Sequence, residues 1–235
     1  VIVVDNMTVR YGGVTSLDGL SLTFEQGICG LIGPNGAGKT TFFNVLSGFV
    51  RPAAGTVTAF GDNLLALPHF KRARWGMRRT FQTEQAISDL TVFDNVAMIT
   101  SPLRGAARRA DVLAAIAFVG LGARTESKVG TLSAGERRLV EVARSVAGQP
   151  RLILLDEPAA GLPDEETAHL TSVIRAIPGQ TGALTILVDH DMSLVSAVCG
   201  TTAVLDFGKL IASGPTASVL RDEHVMRAYL GTAEV

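Results

Sequence analysis

The 235-residue chain carries 21 Lys and Arg against 22 Asp and Glu, a formal net charge of −1, and 47% of it is apolar. That composition is too apolar for a disordered chain and suits one globular domain with a small inserted subdomain. It lacks the positive surplus that a broad electrostatic hold on DNA or RNA requires, so no nucleic-acid partner is expected.

In the first sixty residues the pattern is that of short strands. Leu20, Leu22 and Phe24 alternate with Ser21 and Thr23, the period of a half-buried strand. Ile28 to Ile32 is a compact apolar run that ends in a glycine-rich turn, and Val57 lies in a further strand closed by Gly61. From Lys39 the spacing of Phe42, Phe43 and Leu46 predicts a helix, with Gly48 at its end. The basic run Lys71, Arg72, Arg74, Arg78 and Arg79 reads as a solvated face. Residues from about 84 to 130, with an alanine-rich stretch near Ala106 to Ala117, read as a mainly helical insert. Val112 to Val119 is the longest apolar candidate and falls far short of the roughly 18 residues of a membrane span. No charged leader with an apolar segment opens the chain, so a soluble domain is expected whose membrane role comes through a partner. Cys29 and Cys199 are too few for a disulfide framework; a reducing, intracellular setting and buried apolar roles are expected for them.

From Leu132 helix and strand alternate. Leu139, Val142, Ala143 and Val146 fall on one helical stripe. Leu152 to Leu155 is a continuous apolar run, as in a strand buried on both faces. A helix follows, opening among Asp164, Glu165 and Glu166, carrying Leu170, Val173, Ile174 and Ile177, and stopping at Pro178-Gly179. Leu184 to Val188 and Ala203 to Leu205 are further strands. Strand, helix and strand in this rhythm mean an α/β fold with a mainly parallel sheet.

Gly33-Pro34-Asn35-Gly36-Ala37-Gly38-Lys39-Thr40 matches G-x-x-x-x-G-K-[ST] between a strand and a helix. Its glycines let the backbone N–H groups from Gly36 to Thr41 turn into a nest around phosphate oxygens, and the helix N-terminus adds its positive dipole end. Lys39 supplies a point charge to the β- and γ-phosphates, and the Thr40 hydroxyl suits Mg2+. These residues point to a nucleoside triphosphate. The apolar strand that ends in Asp156 and Glu157 supplies the other half: Asp156 to hold Mg2+, Glu157 to orient and deprotonate the attacking water. Ser133 and Glu136 have the spacing of a capping box, and Ser133 with Gly135 at a helix N-terminus also suits an anion.

In this order the motifs resemble the nucleotide-binding subunit of ATP-binding-cassette (ABC) transporters over essentially the whole length. Gly33 to Thr40 resembles the Walker A motif, Leu132 to Glu136 the family signature, and Leu152 to Glu157 Walker B. Gln82, in Arg79-Thr80-Phe81-Gln82, resembles the glutamine that faces the reaction and touches Mg2+; His190 resembles the switch histidine, and Tyr11 the aromatic that stacks on adenine. The quartet at Arg79, Glu157-Pro-Ala-Ala-Gly-Leu162, Asp189-His-Asp-Met192 and Arg227-Ala-Tyr-Leu-Gly231 resemble the branched-chain amino acid importer group. A lipopolysaccharide-extracting ATPase shares several of them. Two departures stand out: the signature reads Ser-Ala-Gly-Glu in place of the commoner Ser-Gly-Gly-Gln, and Pro163 stands where many relatives carry an Asp.

The resemblance implies a single ABC ATPase domain over 1–235: a phosphate-loop NTPase core, an N-terminal antiparallel β portion and a helical subdomain at about 84–130. It implies ATP and Mg2+, a second ABC ATPase subunit that makes a homodimer or heterodimer, and integral-membrane permease subunits at the cytoplasmic face of the cell membrane. Ile87, Leu90 and Phe93 are candidate docking points for the permease, and a substrate-binding protein acting with the permease is also implied. The alternatives are a lipid or lipopolysaccharide export ATPase with the same catalytic parts, and a non-transport ABC ATPase acting on ribosomes or nucleic acid.

Overall fold

A computed structural model of the chain describes residues 1–100 and 109–230. In chain order its strands are β1 (Ile2–Tyr11), β2 (Val14–Phe24), β3 (Ile28–Ile32), β4 (Ala54–Ala59), β5 (Asp62–Asn63), β6 (Met77–Arg79), β7 (Leu152–Asp156), β8 (Leu184–Val188), β9 (Thr201–Asp206) and β10 (Lys209–Pro215). Its helices are α1 (Lys39–Ser47), α2 (His69–Trp75), α3 (Val92–Thr100), α4 (Arg109–Phe118), α5 (Ala134–Val146), α6 (Asp164–Thr181), α7 (Met192–Val198), α8 (Thr216–Val219) and α9 (Glu223–Leu230). The start of the alanine-rich stretch, Ala106 to Arg108, and Gly231 of the C-terminal motif lie outside the described residues. The chain divides into two compact units, Val1–Arg72 with Ile186–Val235, and Ala73–Thr185.

In the first unit β2, β1, β4 and β5 form an antiparallel sheet in that order. Ile2 lies opposite Phe24, Val4 opposite Leu22 and Met7 opposite Leu20, and all six side chains are buried. The apolar alternation therefore chooses the face that meets the core. Phe42, Phe43, Val45 and Leu46 of α1 are buried as well, and the Phe24 and Phe42 rings lie 5.9 Å apart. Each such side chain contributes about 1.5–3 kcal/mol by leaving water. Cys29 to Ile32 of β3 runs parallel to Thr201 to Val204 of β9, and β10 returns antiparallel.

In the second unit β6 pairs parallel with β7, with Arg79 opposite Leu154. The expected stripes are buried: Leu139, Val142, Ala143 and Val146 on α5, and Leu170, Val173, Ile174 and Ile177 on α6. Among the described residues from 84 to 131 lie α3, α4 and two short 3-10 turns, Gly122–Arg124 and Val129–Thr131.

Two expectations are corrected. α6 does not stop at Pro178 but runs through it to Thr181 and ends at Gly182, which takes the left-handed conformation at φ 68°. A proline in the last turn removes only one N–H from the ladder, and the Gly182 N–H donates back to the Pro178 carbonyl at 2.8 Å. The basic run is not a solvated face. Lys71 and Arg74 are exposed, but Arg72 and Arg78 are buried, as is the Arg79 side chain. Arg72 donates to the carbonyls of Val45 and Leu46 in the last turn of α1, and through Nε to Leu67 at 2.9 Å. Its guanidinium thus brings a charged donor to helix-end carbonyls, of which that of Val45 also accepts the Gly48 N–H at 3.0 Å. Gly48 permits this, because a Cβ there would lie 2.9 Å from the Arg72 Cζ. Arg78 donates to the Ala73 and Met77 carbonyls at 2.8 and 2.9 Å.

Candidate active site

The phosphate loop joins β3 to α1 in the first unit. Gly33, Gly36 and Gly38 have φ of 150°, 82° and 104°, a region that L side chains rarely adopt. At two of them space forbids a side chain too: a Cβ at Gly33 would meet the Leu205 carbonyl oxygen at 2.1 Å, and one at Gly38 would meet Leu17 at 2.6 Å. Pro34 accepts the Ala37 N–H at 3.2 Å, which closes the turn through Asn35. The Lys39 ammonium lies 2.6 Å from the Gly33 carbonyl and 2.9 Å from that of Pro34, folded across its own loop. No side chain caps α1, since its N-cap is Gly38. The first-turn amides of a helix without such a cap attract an anion. Thr40 is exposed, whereas the Thr41 hydroxyl is engaged with that of Ser16 at 2.8 Å.

Tyr11 ends β1, 48% exposed, at the hairpin that pairs it with Val14. His190 follows β8. Asp189 before it is buried and accepts the Asp191 N–H at 2.9 Å, while Asp191 caps α7 by accepting from Ser193 and Leu194. The two aspartates fix the backbone on either side and leave the His190 side chain 69% exposed. Burial raises the Asp189 pKa above the ordinary carboxylate value.

In the second unit β6 and the residues after it bring Arg79 and Gln82 to the two carboxylates. Arg79 Nη2 lies 3.0 Å from Asp156 Oδ2, both side chains buried. The Thr80 hydroxyl accepts the Asp156 N–H at 3.1 Å. The Phe81 ring lies 4.8 Å from the Arg79 guanidinium, and Gln82 Nε2 donates to Glu157 Oε2 at 2.8 Å. Burial lowers the pKa of Arg79, and Asp156 counters the shift. Glu157 holds φ at 47°, a left-handed conformation that costs a side-chain-bearing residue about 1–3 kcal/mol and is concentrated at functional sites.

The capping box on α5 is formed. The Ser133 hydroxyl accepts the Glu136 N–H at 3.1 Å, and Glu136 accepts the Ser133 N–H at 2.9 Å. The same hydroxyl donates to Glu166 of α6 at 2.9 Å. A Cβ at Gly135 would stand 2.5 Å from the Glu166 carboxyl carbon, so the glycine is what lets that anion approach the helix end. Of the docking candidates, Ile87 is exposed, Leu90 is half-buried, and the Phe93 ring is covered by the Arg109 guanidinium at 4.5 Å.

Sequence reasoning gave Gln82 and Glu157 separate roles; the structure sets them in direct contact. It missed Arg79, Thr80 and Glu166 as partners of the motif residues. Arg79 and Thr80 could have been found in the quartet that ends at Gln82, since β6 runs beside the strand carrying Asp156. Glu166 carries no local signal, because its contact with Ser133 spans two helices.

A strand, a glycine loop with its lysine, a helix, and a second strand ending in Asp-Glu define a phosphate-loop nucleotide-binding ATPase. A family model described as ABC transporter matches residues 17–160, and one described as branched-chain amino acid ATP-binding cassette transporter matches residues 209–235. The chain belongs to the ABC transporter family, as its ATP-binding subunit. Such domains bind ATP and hydrolyse it to power transport. The chain is 34% identical to the high-affinity branched-chain amino acid transport ATP-binding protein BraF of Pseudomonas aeruginosa, over 98% of this chain and 97% of that one. LivG of Escherichia coli, of the same description, is also 34% identical over the same shares. The lipopolysaccharide export system ATP-binding protein LptB of Escherichia coli is 36% identical over 96% of this chain and 95% of that one. Among solved structures, an ABC transporter cassette in its ADP conformation superposes with a TM-score of 0.87 at 24% identity, covering 98% of each chain. A bacterial Atm1-family exporter with ATP bound gives 0.81 at 26%, covering all of this chain and 42% of that one. Membership of the family brings membrane permease partners and a second cassette. Among the described residues no helix is long and apolar enough to cross a membrane.

Proposed function

We propose that the chain powers the import of branched-chain amino acids or related amino acids and amides, bound to a permease at the cytoplasmic face of the cell membrane. The match of residues 209–235 to the branched-chain amino acid model carries this reading, and the likeness to BraF and LivG supports it. The 36% identity to LptB favours a second reading, lipopolysaccharide export.

In the proposed site Gly33, Pro34, Asn35, Gly36, Ala37, Gly38, Lys39, Thr40 and Thr41 cradle the ATP phosphates, and Tyr11 stacks on the base. Thr40, Gln82 and Asp156 are the proposed Mg2+ residues. Their hydroxyl, amide and carboxylate oxygens are the hard donors that this ion takes. Among the described residues no cluster of three or more His, Cys, Asp or Glu could hold a metal unaided. When bound, Mg2+ neutralises charge on the transferred phosphoryl group. Glu157 takes a proton from the attacking water, Gln82 holds the Glu157 carboxylate in place, and His190 reports the γ-phosphate. Ser133 and Gly135 serve the ATP held by the second subunit, which closes the site and excludes water. A substrate-binding protein delivers the cargo to the permease.

The test is reconstitution of the chain with its co-purified membrane subunits in vesicles. Hydrolysis that rises when a leucine-loaded binding protein is added, together with leucine uptake, is the expected result. Indifference to amino acids with stimulation by lipopolysaccharide would transfer the chain to the second reading.

A further inference from the structure

One face of α5 holds the segment that follows Gln82 at four points. Arg137 Nε lies 2.9 Å from a Glu84 carboxylate oxygen, and Arg138 Nη2 donates to the Gln82 carbonyl at 3.2 Å. Glu141 Oε1 accepts the Gln85 N–H at 2.6 Å, and Arg144 Nη1 donates to the Gln85 carbonyl at 2.8 Å. Residues 137, 138, 141 and 144 are neighbours on one side of a helix. Glu141 divides its carboxylate, one oxygen to the loop amide and the other to Arg138 at 3.1 Å.

Three features make this more than surface pairing. Glu141 is 4% exposed, and a buried carboxylate is costly unless its bonds are supplied. Burial raises its pKa, while the Gln85 amide and then Arg138 draw it back. Gln82 to Gln85 is neither helix nor strand, and α5 side chains take the Gln82 and Gln85 carbonyls and the Gln85 N–H. The helix that supplies them is the one that opens at Ser133.

We infer that Glu141, with Arg138 and Arg144, is a positioning residue that clamps the backbone of Gln82–Gln85 to α5. The clamp aims the Gln82 amide at Glu157. This rests on the roles proposed above for Gln82 and Glu157.

The experiment compares Glu141→Ala and Glu141→Gln in the full chain, in the assembly where the wild type hydrolyses ATP. It measures kcat, KM and amide hydrogen exchange of the 82–86 segment, with a thermal melt to confirm folding. Glu141→Ala should lower kcat about 10- to 100-fold, the scale of a misplaced catalytic group, while KM changes little. Exchange in the segment should rise with it. Glu141→Gln keeps an acceptor of the same reach for the Gln85 N–H and should restore most of both. Arg144→Ala decides by the same readouts where Glu141→Ala fails to fold. A kcat near wild type, a fall in kcat without faster exchange, or a Gln variant no better than Ala overturns the clamp. A wild-type chain that hydrolyses no ATP in any assembly overturns the proposed function, and the clamp's role with it.

Discussion

Lys39 has carbonyl partners in Gly33 and Pro34. In the proposed site ATP would draw the ammonium from them, because phosphates carry full charge where carbonyls carry dipoles. Removing a charged hydrogen-bond donor costs about 1.5–3 kcal/mol, so Lys39→Ala should weaken ATP binding about 10- to 100-fold by titration calorimetry. Tyr11→Ala should cost about 1–2 kcal/mol, the worth of one aromatic–base stack. Unchanged affinity in either variant removes that residue from the site. The Cys199 thiol is pushed up to about 12 by burial, from an unfolded value of 9.0. The unfolded chain therefore sheds that proton first, and the associated stability is intact below pH 9 and lost progressively toward pH 12. Thermal melts of Cys199→Ala should fall less steeply than the wild type between pH 9 and 10; parallel slopes would contradict the assignment. Motif residues were legible because phosphate chemistry demands those residue types at that spacing. Arg72 was not: whether a basic run meets water or a helix end depends on what lies beside it, here the α1 carbonyls and the gap at Gly48.

Among the elements, stripes such as Leu139, Val142, Ala143 and Val146 were legible because burial on one face repeats with the helical turn. The end of α6 was not, since Pro178 is a break only where the lost N–H matters; the stop lies at Gly182. Gly182→Ala should cost about 1 kcal/mol in denaturant unfolding, because alanine must take a positive φ there. The phosphate loop is less forgiving. Gly33→Ala would press its Cβ to 2.1 Å from the Leu205 carbonyl in β9, so the β3–β9 packing itself must shift. It should give a protein that melts lower than Gly36→Ala, where the space is open and only the φ of 82° is strained. Equal melting temperatures for the two would contradict the close approach at Gly33.

At the scale of the whole molecule, each chain supplies a phosphate loop and a signature helix to what the proposed function treats as a paired engine. Pro163, at the N-cap of α6, cannot copy a carboxylate or donate an N–H. Family and class could be read from motif order before any coordinates, because Gly33–Thr40, Gln82, Ser133, Asp156 and His190 occur in one sequence. The contacts that give those residues their geometry, Arg79 on Asp156 and Glu166 on Ser133, join distant parts of the chain and became visible only once it was folded.

In the proposed mechanism Glu157 removes the proton from the water that attacks ATP. Glu157→Gln keeps the side-chain shape and a hydrogen-bonding end but deletes the base, so turnover should fall about 10²-fold or more. ATP binding should persist, and loss of a negative charge beside the phosphates should make the closed pair longer-lived. The measurement is ATP turnover beside size-exclusion chromatography with light scattering, on the chain alone and with its partner cassette. Slow hydrolysis together with an ATP-dependent dimer is the predicted result; hydrolysis at the wild-type rate in that dimer would contradict it.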